Sequence, residues 1–384
     1  MKVGVIGTGI TQFGEHWDKG LKELASEAGF KAIVDSKISG KDIQAIYGGN
    51  MSAGRFVGQE HIGALIADRC GLNPIPAVRV EAACASGGLA VREGCLSILS
   101  GQYDCVVVAG VEKMTDVNVG EATITLGGAS DQEYEVFQGA TFPGLYAMMA
   151  RRHMHEYGTT ERQLAEVSVK NHQNGKLNPI AQYPFEITVE KALSSSRIAD
   201  PLRLMDCSPI SDGAAAVVLA SERFIKEQGI DPVWITGSGQ ASDTLALHDR
   251  KSLTSLRATK IASKKAYEQA NVQPEDINMA EVHDCFTIAE LIATEDLGFV
   301  DVGKSGPAYE NKEFVLNGRI SVNPSGGLKS CGHPVGATGV KQIVEITNQL
   351  NNRCGARQVK KAQIGLTHNV GGSGATCLVH ILQK

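Results

Sequence analysis

The sequence predicts an α/β protein made of two similar halves. In its first 111 residues, short apolar segments typical of buried strands alternate with longer segments of helical periodicity. Four short patterns then return in the second half: residues 6–9 at 236–239, 41–43 at 275–277, 86–89 at 325–328 and, loosely, 105–108 at 363–366. This spacing is far longer than the period of a solenoid, so it indicates duplication of one α/β unit.

Four strands and two helices are predicted in the first half. The strands are the apolar segments at residues 3–6, 45–47, 77–80 and 105–108. The first helix is expected to be capped by Asp18, and the second to carry Leu96 and Leu99 and to stop at Gly101. Because the strand at 105–108 is apolar at every position, we expect it to be buried on both faces.

Residues 112–205 interrupt this pattern with loops, glycines and helical pieces near 143–157 and 160–175. Residues 140–203 hold eight Lys and Arg against six Asp and Glu, which suits an anionic ligand, although a solvated face is the commoner meaning. A buried strand returns at 212–219. We therefore divide the chain into a first half (1–111 with 206–230), an inserted unit (112–205) and a second half (231–384).

The composition narrows the function. The chain has 384 residues and a net charge of −5, which argues against a nucleic-acid or acidic-membrane partner. Its apolar runs fall short of the roughly 20 residues that a membrane span needs, and its start lacks the apolar stretch of a secretory signal. Nine cysteines without a paired framework indicate reduced thiols in a cytoplasmic protein, and the absence of C-x-x-C argues against structural zinc.

Cys84 is the first candidate for chemistry. It lies where a predicted buried strand meets a helix, among alanine, serine and glycine residues that let a bulky acyl group approach. The positive end of the helix dipole is expected to lower the pKa of its thiol from about 8.5, and the amides there can hold an oxyanion. Taken alone, a buried structural cysteine is the alternative.

Two further segments carry histidines. His283 and Cys285 point the same way in an extended chain, so they can share a pocket in which a thiol beside an imidazole carries protons; a core histidine and a buried cysteine are the alternative. His333 lies in a Gly-rich segment, residues 323–339, at the start of a helix that Pro334 opens. A cation is disfavoured there, so we expect a neutral imidazole that donates a hydrogen bond.

These segments resemble the signature blocks of thiolases, in the same order and over nearly the whole chain. The segment 211–216 and the Gly turn at 368–374 match further blocks. His-Asp-Cys-Phe at 283–286 is similar to the sterol-carrier-protein type and its archaeal acetoacetyl-CoA thiolase relatives. The resemblance implies the thiolase fold: two βαβαβαββ halves in a five-layer α-β-α-β-α arrangement, with an inserted loop domain for CoA binding and oligomer contacts.

The resemblance also implies roles for individual residues. Cys84 would be the nucleophile that takes the acyl group, and His333 would activate it and help hold a thioester oxygen. His283 would complete that oxyanion site, and Cys285 would be the acid/base that moves the α-proton. Other positions are implied as ligand contacts: the amides of Cys84 and of Val370 or Gly371 in a second oxyanion hole, and Ser211, Ser238, Met148 and Arg151 at the substrate.

One departure from the commoner thiolases matters. They place their acid/base cysteine near the terminal Gly turn, where this chain has His368, so Cys285 has to supply the thiol. The implied activity is that of an acetyl-CoA C-acetyltransferase, an acetoacetyl-CoA thiolase that condenses two acetyl-CoA by ping-pong chemistry for mevalonate and isoprenoid synthesis. Its substrates are CoA thioesters, and no metal or other cofactor is expected.

The family further implies a homodimer or tetramer, and a complex with 3-hydroxy-3-methylglutaryl-CoA synthase and a small OB-fold protein. Other functions stay open at this point. A degradative 3-ketoacyl-CoA thiolase, a ketoacyl synthase or a 3-hydroxy-3-methylglutaryl-CoA synthase would also use a cysteine nucleophile, although Cys285 beside His283 argues against the glutamate base of the last. A non-catalytic scaffold that binds CoA esters is the third alternative.

Overall fold

A computed structural model describes residues 2–384 of the chain. The strands are β1 Val3–Ile10, β2 Ala45–Gly49, β3 Ala77–Val80, β4 Cys105–Glu112, β5 Arg197–Ala199, β6 Leu202–Arg203, β7 Gly213–Ala220, β8 Val233–Ser242, β9 Met279–Glu281, β10 Ser321–Val322, β11 Ile364–Gly371 and β12 Thr376–Gln383. The helices are α1 Leu21–Ser36, α2 Ala53–Phe56, α3 Ile62–Arg69, α4 Ser86–Leu99, α5 Val119–Gly127, α6 Phe142–Tyr157, α7 Glu161–Lys176, α8 Val189–Leu193, α9 Glu222–Gln228, α10 Arg257–Ala270, α11 Thr287–Asp296, α12 Ser305–Glu310, α13 Gly327–Cys331 and α14 Thr338–Leu350.

The order of the strands displays the duplication. Ten strands form one hydrogen-bonded sheet in the order β10-β9-β11-β12-β8-β1-β7-β4-β2-β3. Each half contributes five strands, and the second half mirrors the first about the junction where β1 pairs with β8. The pairing directions match too: β2–β4 and β9–β11 are parallel, whereas β4–β7 and β11–β12 are antiparallel. The predicted two-half architecture is confirmed.

Helices lie on both sides of each half-sheet. α1 packs outside β1, β7 and β4, and α10 packs outside β8 and β12, while α4 and α14 pack against each other between the halves. This gives the layer sequence α-β-α-β-α. The two central helices meet at backbone distance: a Cβ on Gly339 would lie 2.1 Å from the amide nitrogen of Gly88, and one on Gly87 would lie 2.7 Å from the carbonyl oxygen of Gly336.

The predicted second helix is present as α4, and one local prediction in the first half, the cap of the first helix, is wrong. Leu96 and Leu99 of α4 are 40% and 46% exposed, and the buried face of the helix carries Ala90 and Cys95 instead. Small residues are needed there because α4 lies between the two halves of the large sheet and packs against a second helix. The first helix begins after Gly20 rather than at a side-chain cap from Asp18.

The segment between β4 and β7 adds no strand to the large sheet; it forms α5–α8 and the β5–β6 hairpin. α6 packs on α11, and α7 packs on α11, α12 and α13, all of which belong to the second half. As a result, α6 is carried next to the segment at 283–286. Within residues 2–384, the helices are all too short or too polar to cross a membrane.

Candidate active site

A cavity of about 150 Å³ opens beside Cys84, where the two halves and the inserted segment meet. Three of the four predicted catalytic side chains line it, namely Cys84, Cys285 and His333. The fourth, His283, lies beside them, because the Cys84 sulfur and one ring nitrogen each of His283 and His333 are all within 4.8 Å of one another. The rest of the wall is mostly apolar and includes Met114, Leu126, Phe142, Tyr146, Phe286 and Val335.

Cys84 is held at a strained turn between β3 and α4. Ala83 has a φ of +52°, which is uncommon for a residue with a Cβ. The side chain of Ser86 fixes this turn, since its hydroxyl accepts from the amide of Ala82 at 2.9 Å and donates to the carbonyl of Ala83 at 2.6 Å. The turn thereby presents the sulfur to the cavity, while the residue is only 8% exposed.

Burial dominates the electrostatics of this thiol. It raises the pKa of Cys84 to about 12, although the amide of Gly372 and the residue's own amide donate to the sulfur and act in the opposite direction. The expected lowering by the helix dipole is therefore outweighed. The nucleophile rests as a neutral thiol and needs a base to become reactive.

His333 is placed to be that base. Its Nδ1 lies 2.7 Å from the hydroxyl of Thr338, and that hydroxyl donates its single proton to the carbonyl of Pro334 at 3.0 Å. Thr338 must therefore accept from Nδ1–H, which leaves Nε2 with a free lone pair. Burial lowers the pKa of His333 to about 3, so the ring is neutral as predicted, but toward the Cys84 thiol it accepts a proton rather than donating a hydrogen bond.

His283 is held in the opposite tautomer by Asn369. The amide oxygen of Asn369 accepts from the Gly88 amide at 3.1 Å, and its nitrogen donates to the Cys84 carbonyl at 3.0 Å, so the orientation of this amide is determined. The same nitrogen lies 3.2 Å from Nδ1 of His283, which must accept, and Nε2 therefore carries the hydrogen.

That Nε2–H is buried and has no hydrogen-bond partner among the described residues. The ring stands edge-on to His333, with centroids 5.1 Å apart, and burial keeps the pKa of His283 well below 6.5. A neutral, unsatisfied N–H beside the nucleophile suits an oxyanion. The spacing of the three atoms would also suit a metal ion, but a protonated Nε2 offers no lone pair, so the network favours the oxyanion site.

Cys285 reaches the same cavity from the loop before α11. Burial raises the pKa of its thiol, while a hydrogen bond from Tyr146 and the amide of Phe286 favour the thiolate. Tyr146 stacks on Phe286 with ring centroids 4.7 Å apart, and its hydroxyl donates to the carbonyl of Gly372 at 3.1 Å. A second sulfur with its own donor thus faces the nucleophile.

His368, which occupies the acid/base position of the commoner thiolases, has both ring nitrogens engaged. Nδ1 accepts from the backbone amide of His283 at 3.4 Å, and Nε2 lies 3.0 Å from the hydroxyl of Thr259. His368 is not among the residues that line the cavity. Its ring braces the His283 backbone, whereas Cys285 lines the cavity.

The predicted second oxyanion hole, with the amide of Val370 or Gly371, falls at the end of β11. Val370 and Gly371 lie in β11, opposite Cys377 and Thr376 of β12. The amide that reaches the Cys84 sulfur belongs to the next residue, Gly372, which has a φ of +60° in the turn that follows the strand. The turn, rather than the strand, presents the donor.

None of the four predicted substrate contacts lines the cavity beside Cys84. Ser211 is buried; its hydroxyl donates to Gln182 at 2.5 Å and accepts from the His333 amide at 2.9 Å, so it holds the base in place. Ser238 is buried in β8, where its hydroxyl accepts from Arg92 at 3.1 Å.

Met148 and Arg151 lie on the side of α6 away from Tyr146, because residues two and five positions apart on a helix face different directions. They line a shallow surface groove together with His155. Arg151 pairs there with Asp200. Met148 and Arg151 therefore lie outside the cavity beside Cys84.

Comparison with known proteins identifies the family of the chain. A family model described as the thiolase N-terminal domain matches residues 3–223, and one described as thiolase C-terminal domain-like matches residues 239–384. An acetyl-CoA acetyltransferase of Methanothermobacter thermautotrophicus is 55% identical over 382 residues, which cover 100% of this chain and 99% of the relative. Sterol carrier protein 2 of Bos taurus is 33% identical over 97% of this chain and 71% of the relative.

Solved structures show the same fold. The Ltp2-ChsH2(DUF35) aldolase superposes with a TM-score of 0.86 at 24% identity, covering 100% of this chain and 97% of the other. Two family models together span almost the whole sequence, and a full-length relative is well above 30% identity. The chain belongs to the thiolase family of acyltransferases.

Proposed function

We propose that the protein is an acetyl-CoA C-acetyltransferase that condenses two acetyl-CoA into acetoacetyl-CoA by ping-pong chemistry. The observation that carries this proposal is the pair of opposite histidine tautomers: Nε2 of His333 accepts and Nε2 of His283 donates, and both rings lie next to the Cys84 sulfur. A base and an oxyanion donor around one thiol are what acyl transfer needs. The acetyl-CoA acetyltransferase at 55% identity supports the choice of substrate.

In the first half-reaction, His333 takes the proton of the Cys84 thiol and the sulfur attacks the thioester carbonyl of acetyl-CoA. The carbonyl oxygen becomes negatively charged in the tetrahedral intermediate, and hydrogen-bond donors around the cavity stabilise it. Collapse breaks the bond to CoA, whose sulfur takes the proton of Cys285. The acetyl group then resides on Cys84, His333 is protonated and Cys285 is a thiolate, so the site holds one positive and one negative charge.

In the second half-reaction, the Cys285 thiolate removes an α-proton from a second acetyl-CoA. The enolate oxygen is stabilised by Nε2–H of His283 and by protonated His333, and each donor of this kind is worth about 2.7–4 kcal/mol. The enolate carbon attacks the acetyl group, the bond to the Cys84 sulfur breaks, and His333 returns its proton to that sulfur. All side chains are thereby restored to their starting protonation states.

The size of the cavity supports a short acyl chain. At about 150 Å³ it matches an engineered apolar cavity that takes up benzene, which has six heavy atoms. An acetoacetyl group also has six. The bulky walls supplied by Phe142 and Phe286 leave little room for a longer chain.

Comparing rates of condensation and thiolysis with acetyl-CoA, acetoacetyl-CoA and longer 3-ketoacyl-CoAs tests this assignment. Higher kcat/KM for the long chains would make the protein a degradative thiolase. Release of CO2 from malonyl substrates would indicate a ketoacyl synthase, and condensation of acetyl-CoA with acetoacetyl-CoA would indicate a 3-hydroxy-3-methylglutaryl-CoA synthase. Failure to form any acyl-enzyme would leave only the scaffold function.

Substituting Asn369→Asp tests the tautomer of His283. An aspartate has no hydrogen to give Nδ1 and would instead accept from it, so Nε2 would lose its hydrogen and the enolate its donor. We expect kcat for condensation to fall about 10²–10³-fold, as when an oxyanion-hole donor is removed. Steady-state kinetics would measure this, with thermal melting to verify the fold.

The control is a double-mutant cycle. In a His283→Ala background the donor is already absent, so adding Asn369→Asp should lower kcat for condensation only slightly further. If the two substitutions instead multiply, Asn369 acts by another route and the tautomer argument is incorrect.

Homodimer formation is proposed through β3, the edge strand of the ten-stranded sheet. An exposed edge offers unpaired backbone groups to a second copy, and Val78 in this strand is 46% exposed. Val78→Asp is expected to convert a dimer into a monomer, measured as mass by light scattering. Val34→Asp, at a 76% exposed position on α1, should leave the mass unchanged. A monomeric wild-type protein would contradict the proposal.

A cytoplasmic role in mevalonate and isoprenoid synthesis, with 3-hydroxy-3-methylglutaryl-CoA synthase and a small OB-fold protein as partners, completes the proposal. A similar solved structure is named as an assembly with a DUF35 partner, which is compatible with thiolase-fold chains acting inside larger complexes. Removal of acetoacetyl-CoA by the next enzyme would also pull a reversible condensation forward. Co-purification of the three tagged proteins tests the complex, and independent elution of all three would refute it.

A further inference from the structure

Tyr146 is a buried polar side chain with no part in the mechanism above. It is 1% exposed, lines the reaction cavity and comes from α6 in the inserted segment. Its ring is clamped against Phe286, the residue after Cys285, with an interplanar angle of 30°. A phenol held this rigidly has its hydroxyl aimed in one direction, and a buried hydroxyl needs partners.

Two acceptors compete for the single proton of that hydroxyl. At rest it donates to the carbonyl of Gly372 at 3.1 Å. The second is the sulfur of Cys285, which lines the same cavity and belongs to the residue before Phe286, on which the Tyr146 ring stacks. A neutral thiol is a weak acceptor, whereas a thiolate is a charged and stronger one. The preference of the hydroxyl therefore depends on whether Cys285 is protonated.

Resting on the proposed function, we propose that Tyr146 is a positioning residue for Cys285: its hydroxyl bonds to Gly372 while Cys285 is a thiol and turns to the sulfur when CoA departs with the proton. No proton leaves Tyr146 in this step, since burial raises its own pKa well above the ordinary value. The turn stabilises and aims the thiolate that removes the α-proton. Apart from the amide of Phe286, it is the donor that favours this thiolate.

Gly372 connects this switch to the nucleophile. Its amide donates to the Cys84 sulfur while its carbonyl accepts from Tyr146, so one peptide unit contacts the machinery of both half-reactions. The hydroxyl of Tyr146 thus helps to hold the turn while Cys84 is attacked and serves Cys285 afterwards. Phenylalanine would keep the stacking and lose both hydrogen bonds.

The test is Tyr146→Phe, read out by site-resolved alkylation. Iodoacetamide labelling of Cys285 and Cys84 is followed by peptide mass spectrometry across a pH series, without substrate. We expect labelling of Cys285 to shift to higher pH by at least about one unit, which is about tenfold slower at a given pH. The pH dependence of Cys84 alkylation should shift less, because the Gly372 amide that donates to its sulfur is still present. The rate of condensation should fall about tenfold or more.

Tyr309→Phe is the matched control. Tyr309 is also buried and packs against a phenylalanine, Phe314, but its hydroxyl donates to Glu290 at 2.6 Å and it does not line the cavity. The Tyr309→Phe variant should therefore show the same pH dependence of Cys285 alkylation as the wild type.

An unshifted Cys285 profile in Tyr146→Phe overturns the proposal, even if condensation slows, because the loss would then come from the Gly372 contact alone. Alkylation needs no turnover, so the switch can be judged even if the wild-type enzyme fails to condense acetyl-CoA. That second failure would count against the proposed function and not against the contact between Tyr146 and Cys285.

Discussion

Replacing Cys84 by alanine is expected to abolish the acyl-enzyme. Without the sulfur, no covalent intermediate can form, and kcat should fall by about 10⁶-fold, the scale found when a covalent nucleophile is removed. Incubation with acetyl-CoA followed by intact-protein mass spectrometry should show one added acetyl group on the wild type and none on the variant. The strained turn at Ala83 and the cavity beside the sulfur are the structural reasons for choosing this thiol.

Cys95→Ala provides the comparison. Cys95 lies on the helix that follows Cys84, is fully buried and has a pKa raised by burial to about 12, as Cys84 has. Its side chain packs in the core and not at the cavity. The Cys95→Ala variant should still be acetylated by acetyl-CoA. If acetylation is instead retained in Cys84→Ala and lost in Cys95→Ala, the assignment of Cys84 as the nucleophile is wrong.

Replacing Cys285 by alanine should separate the two half-reactions. Cys84 and His333 remain, so acetylation from acetyl-CoA should stay measurable, while removal of the α-proton loses its base. Loss of a general acid or base typically costs about 10²–10⁴-fold, and we expect condensation to fall within or beyond that range. Single-turnover acetylation and steady-state condensation, measured on the same protein, would show the split.

The cavity contains a natural control for this variant. Cys207 also lines it, and burial raises the pKa of its thiol to about 12, but its hydrogen bond runs to the carbonyl of Arg203. Cys207→Ala should therefore condense acetyl-CoA at close to the wild-type rate. Condensation that survives in Cys285→Ala would show that another group takes the proton.

Much of the fold could be predicted because duplication leaves local marks in the sequence. The segments 6–9 and 236–239 lie in β1 and β8, which occupy mirror positions in the sheet. One of the repeated patterns does not connect equivalent elements. Residues 86–89 begin α4, whereas the matching residues 325–328 lead into the short α13; the helix equivalent to α4 in the second half is α14. A glycine pair is a short pattern that can recur wherever backbones approach closely.

The grouping of Cys84, His283, Cys285 and His333 could be predicted because sulfur and imidazole chemistry is scarce and its local motifs are specific. Tyr146 and Asn369 could not, since their roles depend on contacts across the fold. Asn369 joins the carbonyl of Cys84 to the ring of His283, residues far away along the chain. The direction that a side chain faces on its helix, as for Met148, is also decided by tertiary packing.

The mirror order of the strands has a consequence for how the two reacting groups came to differ. α4 and α14 are counterparts in the two halves, and Cys84 and His333 each lie just ahead of one of them. In a symmetric pair of identical subunits, counterpart positions necessarily carry the same amino acid. Joining both units in one polypeptide frees them to diverge, so that one site specialises in attack and its twin in taking up the proton.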